Sequence, residues 1–216
     1  MVQYHVLVIR CRGSKRRRIK MKSMNPQGRK GTPFVALRVR KSSSAVDQAL
    51  LGEFKSWKRS GDFIEVIKAE SLVVHSKMEA YELQEAIALE LRQRGWRVDF
   101  DNPRNRCVYI IDLADDVWDE KKFKKENIDL VGSSSRTVYV GETKRSPEER
   151  LKIHLSKIGG KPHPQSSKFV HQYGQKLASD LMDKYATSGL SQGEALRAEL
   201  EVTHLLRQQG IASYSR

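Results

Sequence analysis

Apolar residues along the chain alternate between short strand-like runs and long helical stretches, and the same order occurs twice. The runs YHVLVIR and CVYIIDL predict a first strand in each half, and PFVALRVRKS and TVYVGETKRS predict a second. Later in each half, EAYELQEAIALELRQRG and EALRAELEVTHLLRQQG have the spacing of an amphipathic helix. Gly95 and Gly210 end these helices, as glycine commonly does at the position after a helix. The chain is therefore predicted to hold two copies of one unit.

Each copy is predicted to have an α+β fold, with a small and mostly antiparallel sheet flanked by helices. The first copy is assigned to residues 1–102 and the second to residues 107–216. Between them, DNPRN at residues 101–105 is typical of a linker, because Asn-Pro favours a turn. A short terminal strand is expected in each unit and is most evident in WRVDF.

The two copies share their apolar positions but differ in their polar ones. Four positions of the second copy pair with residues of different chemistry in the first: Tyr109 with Leu7 or a neighbour, Tyr139 with Val35, Gly141 with Leu37, and Glu199 with Gln84. The first copy also has no arginine that matches Arg150. If these side chains only stabilised the fold, both copies would need them. We infer that they serve chemistry performed by the second copy alone.

Charge is also distributed unevenly between the halves. Residues 1–106 contain 23 Lys and Arg against 11 Asp and Glu, whereas residues 107–216 contain 17 against 15. A basic half favours a polyanionic partner such as nucleic acid. Residues assigned to nucleic-acid contact lie in the dense cluster RCRGSKRRRIKMK and in the turn after the second strand of the second copy: Arg12, Lys15, Arg16, Arg17, Arg18, Lys20, Lys144 and Arg145. A solvated loop that only aids solubility is the alternative for the cluster.

Several classes of protein are excluded by composition. No apolar run reaches the length of a transmembrane helix, and the basic cluster lacks the apolar face of a membrane-surface helix. The N-terminus has no basic segment before its apolar run and no cleavage site, so a strand is expected there. Two cysteines, Cys11 and Cys107, make neither a disulfide framework nor a metal set. A cytoplasmic protein without a membrane partner is expected.

Candidate chemistry gathers around VYVGETKRSPEERLKIHL, residues 138–155. Tyr139 lies in the second strand, and Tyr109 in the first strand can face the same side of the sheet. Arg150 and His154 are four residues apart on the next helix and share one face. Glu199 lies on the inward side of the last helix, where a carboxylate is costly unless it is paired or binds a cation.

The segments CVYII, VYVGETKRSPEERLKIH and EALRAELEV, in this order, resemble the motifs of the GIY-YIG nuclease superfamily. The first motif is Cys107-Val108-Tyr109 here in place of Gly-Ile-Tyr, and the second is Tyr139-Val140-Gly141 in place of Tyr-Ile-Gly. The resemblance covers residues 107 to about 202, with the arginine and the glutamate on the following helices. The first half would then be a degenerate duplicate, which is an inference from the internal repeat.

This resemblance implies metal-dependent hydrolysis of phosphodiester bonds. Tyr109 corresponds to the general base or water-positioning group, Tyr139 to a group that holds the scissile phosphate, and Arg150 to the arginine that neutralises it. Glu199 corresponds to the ligand of one divalent cation, expected to be Mg²⁺ with Mn²⁺ as an alternative. His154 corresponds to a hydrogen-bond donor to the phosphate or to a tyrosine.

Some assignments remain open at this level. Glu201 is an alternative metal ligand, and Tyr214 and Ser215 are the candidates to replace an asparagine that many family members carry after the glutamate helix. The long segment 114–136 is either a substrate clamp or a surface excursion. We expect a DNA endonuclease, with an inactive nucleic-acid-binding protein or an RNA-directed nuclease as alternatives. A homodimer is compatible with a restriction-like activity, and the oligomeric state stays open.

Overall fold

A computed structural model describes residues 3–11, 34–42, 63–67, 72–100 and 104–215. The chain forms two compact units, Met1–Asn102 and Pro103–Arg216. Most of the basic cluster, from Arg12 to Lys20, lies outside the described residues, so its assigned phosphate contacts stay predictions. Among the described residues, no helix has the length and apolar character needed to cross a membrane.

The first unit contains five strands and one long helix among its described residues. In chain order these are β1 (Gln3–Cys11), β2 (Phe34–Ser42), β3 (Phe63–Val66), β4 (Leu72–Val74), α1 (Lys77–Gln93) and β5 (Arg97–Asp99). Strand order in the sheet is β3-β1-β2-β5, and β4 also pairs with β1. β5 runs parallel to β2, and the remaining pairs are antiparallel.

The elements of the second unit follow one another from residue 104 to residue 215. They are β6 (Arg106–Leu113), α2 (Lys121–Glu126), β7 (Thr137–Thr143), α3 (Pro147–Leu155), β8 (Lys157–Ile158), β9 (Lys161–Pro162), α4 (Lys168–Tyr173), β10 (Gly174–Leu177), α5 (Ser179–Tyr185), β11 (Ser188–Leu190), α6 (Gln192–Gln208) and β12 (Ala212–Tyr214). The main sheet has the order β10-β6-β7-β12, with β11 also on β6, and only β12 on β7 is a parallel pair.

The predicted α+β fold with small, mostly antiparallel sheets is confirmed. Both sheets have the same strand order and the same pairing directions. The long helices begin alike as well, because Ser76 and Ser191 each form a capping box with a glutamate three residues on. Both helices are followed by a glycine with positive φ, Gly95 at 81° and Gly210 at 78°. The origin of both units from one duplicated nuclease module remains a prediction.

Strand registers correct the pairing of the two copies in the second strand. Leu7 lies opposite Arg38 in the first sheet, and Tyr109 lies opposite Gly141 in the second. If β1 and β2 are matched with β6 and β7, Tyr139 therefore corresponds to Ala36, not Val35. By the same register Gly141 corresponds to Arg38, not Leu37. The sequence-based pairing was off by one residue, which would place each side chain on the wrong face of the sheet.

The two faces of the second sheet are covered by different elements. On one face, Val108, Ile110, Val138 and Val140 pack against α5 and α6 through Leu181, Val202 and Leu206. The other face carries aromatic residues and is packed against segment 114–136 and α4. Their shared cluster includes Tyr109, Tyr139, Phe123, Tyr173 and Tyr214. The candidate chemistry lies on this second face.

Segment 114–136 is a packed part of the fold. It forms a 3₁₀ turn, α2 and a second 3₁₀ turn, and it buries Val117 and Phe123 in the aromatic cluster. Asn127 donates to the backbone of Ser213 and accepts from it, which ties the segment to β12. The interpretation as a surface excursion is therefore wrong for Val117 and Phe123, whose burial reflects structural packing.

Candidate active site

Tyr109 and Tyr139 lie side by side on the aromatic face, as their strand positions predict. Tyr109 of β6 is opposite Gly141 of β7, and Tyr139 is two residues before that glycine on the same face. The ring centroids of the two tyrosines are 6.2 Å apart and their planes are tilted by 41°. Both side chains are buried, with 1% of Tyr109 and 4% of Tyr139 exposed.

Gly141 provides the space that the Tyr109 ring occupies. A β-carbon built at Gly141 would lie 2.6 Å from Oη of Tyr109 and 2.8 Å from Cε1 of Tyr139. Such distances are shorter than van der Waals contact. The glycine thus allows close approach of a phenol to the strand.

His154 joins the two tyrosines from α3. Pro147 occupies the first turn of this helix and Ser146 caps it by accepting from the backbone N–H of Glu149. His154 is fully buried, its Nε2 lies 2.8 Å from Oη of Tyr109, and its ring is edge-on to Tyr139 with centroids 6.0 Å apart. The predicted contact between this histidine and a tyrosine is present in the structure.

The second ring nitrogen of His154 determines which atom is the donor in this contact. The backbone N–H of Ser167 donates to Nδ1 of His154 at 2.9 Å, so Nδ1 carries no proton. A neutral ring must then carry its proton on Nε2. His154 therefore donates to the oxygen of Tyr109 and does not accept its proton. Ser166 adds support because its hydroxyl donates to the His154 carbonyl at 2.7 Å.

Arg150 approaches the same phenol oxygen from one turn earlier on α3. Burial raises the pKa of Tyr109 to about 12, while the charge of Arg150 and a hydrogen bond from it act in the opposite direction. The charges of Glu199 and Glu142 raise the pKa further. Tyr109 therefore lies within electrostatic range of Arg150, Glu199 and Glu142, and His154 is in direct contact with its phenol oxygen.

Glu199 is buried on α6, which packs against the opposite face of the sheet from the tyrosines. Its carboxylate is nevertheless close enough to Tyr109 to raise the pKa of the phenol. Glu201, the alternative ligand, is exposed on the same helix. Glu199 is thus the glutamate that points inward, in agreement with its helical phase.

The residues around Glu199 fit a metal ion only if most of its ligands are waters and substrate phosphate oxygens. In the part of the chain that the structure describes, no group of three or more His, Cys, Asp or Glu side chains could hold a metal ion. Mg²⁺ commonly binds through one or two carboxylates and completes its shell with waters and substrate phosphate. The single buried carboxylate of Glu199 fits that mode, and it does not fit a cation held by protein ligands alone.

A cleft of about 320 Å³ opens beside this cluster. It is lined by Arg106, Glu142, Thr143, Lys144, Arg145, Arg150 and Gln165. Arg106 forms an ion pair with Glu142 across strands β6 and β7. Lys144 and Arg145, assigned to nucleic-acid contact, are both exposed at this cleft. Four basic side chains at one opening suit a phosphodiester backbone.

Sequence reasoning missed several residues of this site. Arg106, Glu142 and Gln165 line the cleft, and Ser167 orients His154 through its backbone. The alternation of side chains in β6 and β7 could have suggested the pair of Arg106 and Glu142, since both flank a motif. Ser167 offers no such signal, because a backbone N–H is common to every residue except proline.

Tyr214 is the better placed of the two residues considered as replacements for the late asparagine. Its ring stacks on Phe169 with centroids 4.4 Å apart and lies 6.4 Å from the centroid of Tyr139. Ser215 follows the last strand and is half-buried. Tyr214 of β12 therefore packs beside Tyr139 and helps to hold it in position.

Comparisons with protein-family models, with curated proteins and with solved structures gave no match to this chain. Functional assignment therefore rests on the residues and the geometry described above.

Proposed function

We propose that the second unit is a GIY-YIG-like nuclease that hydrolyses phosphodiester bonds of DNA with the help of Mg²⁺. The observation that carries this proposal is the contact of 2.8 Å between Tyr109 Oη and His154 Nε2. The backbone of Ser167 fixes the direction of this hydrogen bond, from histidine to phenol. The histidine donor and the charge of Arg150 favour a negative charge on this phenol, whereas burial opposes it.

Tyr109 is the proton-handling group in this proposal. With a pKa of about 12, its phenol holds a proton at neutral pH. Transfer of that proton to solvent water would produce a phenolate, which His154 stabilises by donating from Nε2 and Arg150 stabilises by its charge. The phenolate can then accept a proton from an attacking water. His154 thus tunes the tyrosine and does not itself act as the base.

Arg150 connects the phenol with the cleft. The guanidinium lines the cleft, and its charge lowers the pKa of Tyr109. A phosphate in the cleft would be bound by this fork of donors, because guanidinium binds two phosphate oxygens well. Arg150 is therefore proposed both to bind the substrate phosphate and to stabilise negative charge on Tyr109.

Glu199 is the residue that would hold Mg²⁺, which when bound supplies Lewis-acid stabilisation of a phosphate oxygen. Tyr139 packs against both Tyr109 and His154 and keeps the two rings in position. Lys144 and Arg145 at the cleft would bind the backbone of DNA beside the cut. The basic cluster of the first unit is proposed as a further DNA contact.

Cleavage of supercoiled plasmid in the presence of Mg²⁺ tests this function, with two matched variants on α6. Glu199→Gln removes the buried carboxylate and is expected to lower the rate at least a hundredfold, in the range seen on loss of charge-stabilising groups. Glu201→Gln removes an exposed carboxylate two residues away and is expected to cleave like the wild type. Equal loss in both variants, or none in Glu199→Gln, would contradict the assigned metal site.

The same assay separates the alternative functions. Retention of plasmid in a gel shift without any nicking would indicate an inactive DNA-binding protein. Cleavage of a structured RNA in preference to plasmid would indicate an RNA-directed nuclease. Discrete bands would indicate sequence-specific cutting, whereas cleavage of forked DNA alone would indicate a structure-selective enzyme.

A further inference from the structure

One stretch of the second unit contains no acidic residue at all. Between Glu149 and Asp180 the chain has six basic residues and neither Asp nor Glu: Arg150, Lys152, Lys157, Lys161, Lys168 and Lys176. The second unit is otherwise rich in acidic residues, so this stretch is a local basic region in a nearly neutral half. We name residues 150–179 the basic segment. The net charge of residues 107–216 as a whole does not reveal this segment.

The basic segment projects a short β-hairpin from the end of α3. β8 pairs antiparallel with β9, with Ile158 opposite Lys161 next to the turn. The two turn residues, Gly159 and Gly160, have φ of 58° and 76°. Positive φ at both positions is the geometry of a tight I′ turn and favours glycine. No other atom lies within 4 Å of a β-carbon built at either glycine, so the tip of the hairpin is open to its surroundings.

Ile158 presents an apolar side chain on the same face of this hairpin as Lys161, which lies opposite it, while Lys157 lies on the other face. Ile158 is 59% exposed, and the nearby Leu155 at the end of α3 is 40% exposed. Lys157 and Lys161 on the two strands are also exposed. An apolar side chain flanked by cations suits a duplex, because lysines reach phosphates while the apolar group meets sugars or a base step in a groove.

The hairpin is continuous with the candidate active site on both sides. α3 carries Arg150 and His154 and leads directly into it. After the hairpin, Gln165 lines the cleft and Ser166 and Ser167 bond to His154. A phosphate bound at Arg150 therefore places the neighbouring DNA within reach of the hairpin.

We propose that the hairpin Lys157–Pro162 is a DNA-gripping element that enters a groove of duplex DNA beside the cut. Lys157 and Lys161 contact phosphates on the two edges of that groove, and Ile158 contacts the groove surface between them. This inference deepens the proposed nuclease function and rests on it for the position of the cut. The occupant is a duplex, because two cations on opposite strands of a ribbon straddle a groove.

Duplex binding by the full chain in EDTA tests the lysines separately from cleavage. The double variant Lys157→Ala/Lys161→Ala is expected to bind at least tenfold more weakly. It is also expected to lower the slope of log affinity against log salt by about 2, which corresponds to two released counterions. The matched control is Lys124→Ala/Lys125→Ala, which removes two exposed lysines from α2 and should change neither value. Equal slopes for the hairpin variant and the wild type would overturn the lysine contacts.

A photo-crosslinking amino acid at position 158 tests the groove contact. It is expected to crosslink to duplex DNA within a few base pairs of the cleavage position. The same probe at Ile128, which is 64% exposed in segment 114–136, is the matched control and should give little crosslink. Crosslinking at position 158 only to single-stranded DNA, or equally at both positions, would refute the proposal. If position 158 crosslinks to duplex but no Mg²⁺-dependent cleavage occurs, the hairpin stands as a DNA contact and the nuclease function fails.

Discussion

Gly141 and Tyr109 face each other across strands β6 and β7, and the phenol of the tyrosine lies directly over the glycine. The absence of a side chain at one position is thus what permits the functional side chain at the other. The first unit has Arg38 and Leu7 at the corresponding register positions, so neither partner of this pair is present there. The first unit therefore lacks the tyrosine and the glycine together, because the tyrosine requires the glycine.

Gly141→Ala is therefore expected to displace Tyr109 from its position over β7. The new methyl group would lie 2.6 Å from Oη of Tyr109 and 2.8 Å from Cε1 of Tyr139, in a buried and packed layer. We expect a loss of about 1–3 kcal/mol in the free energy of unfolding, as for other overpacked cores, and a loss of cleavage. Chemical denaturation and the plasmid assay measure these two effects.

The control for this variant is a double-mutant cycle with Tyr109→Leu. Leucine is the residue at the matching position of the first unit, and its shorter side chain leaves room for the methyl group. In the Tyr109→Leu background, Gly141→Ala should cost much less stability than in the wild type. Equal costs in the two backgrounds would show that the clash with the tyrosine does not control this position.

His154→Gln and His154→Leu are expected to differ in activity. Glutamine can place an N–H near the position of Nε2 and can retain part of the hydrogen bond to Tyr109, whereas leucine cannot. Leucine also leaves the buried Ser167 N–H without its acceptor, at a cost of about 1–3 kcal/mol in stability. Single-turnover cleavage should rank wild type above glutamine and glutamine above leucine.

The pH dependence distinguishes this tuning role from a purely structural one. Loss of the donor to the phenol oxygen disfavours the phenolate, so cleavage by His154→Leu should reach its plateau at higher pH than cleavage by the wild type. If the two profiles have the same shape and differ only in height, His154 supports the fold and does not tune Tyr109.

The fold was largely predictable from the sequence because its signals are local. Strands β1, β2, β6 and β7 are dense in β-branched and aromatic residues, and both long helices have a capping serine and a terminal glycine. The register of β2 was not predictable. Val35, Ala36 and Leu37 are all buried, so the apolar pattern does not distinguish the two faces of that strand.

The candidate site was predictable in its residue types but not in its hydrogen bonds. Tyr109, Arg150 and His154 follow from motif and helical spacing. The direction of the bond between His154 and Tyr109 depends on Ser167, thirteen residues beyond the histidine and after an unpredicted hairpin. The sequence also does not indicate that segment 114–136 would pack over the tyrosines. Its only buried apolar residues are Val117 and Phe123, and they stand among many charged residues.

Arg136 joins the sheet to α5 and makes the second unit sensitive to acid. Its guanidinium donates to both carboxylate oxygens of Asp112, at 2.7 and 3.1 Å, and to both of Asp180, at 2.6 and 2.9 Å. The hydrogen bonds from Arg136 lower the pKa of Asp180 to about 2. Stability from this pair is thus present above the ordinary aspartate pKa near 4 and is lost as pH falls toward 2.

Asp180→Asn is expected to flatten the acid end of the stability profile. Between pH 4 and pH 2 the wild type should lose more free energy of unfolding than the variant does. Asp183→Asn, an exposed carboxylate one turn later on α5, is the control and should follow the wild type. Urea denaturation at several pH values measures both, and identical slopes for Asp180→Asn and the wild type would contradict the pairing.

Tyr109 makes folding stability depend on pH at the alkaline end, where stability falls as pH rises. Its pKa is raised in the folded chain to about 12, above the value of 10 for an exposed phenol. Between these values the unfolded chain releases the proton and the folded chain keeps it, so folding stability falls as pH rises. Tyr109→Phe removes this contribution, and at pH 11 the wild type should have lost about 1 kcal/mol more than the variant relative to pH 9.

Tyr185 serves as the control for that measurement, because its pKa is lowered in the folded chain. Its contribution to folding stability therefore changes with pH in the opposite direction. The neighbouring Lys184 lowers the pKa of this tyrosine on the surface of the second unit. Tyr185→Phe should therefore remove a contribution that grows as pH rises toward 10. If both variants shift the alkaline profile in the same direction, Tyr109 is not a buried phenol with a raised pKa. The proposed need to stabilise its phenolate through His154 and Arg150 would then have no basis.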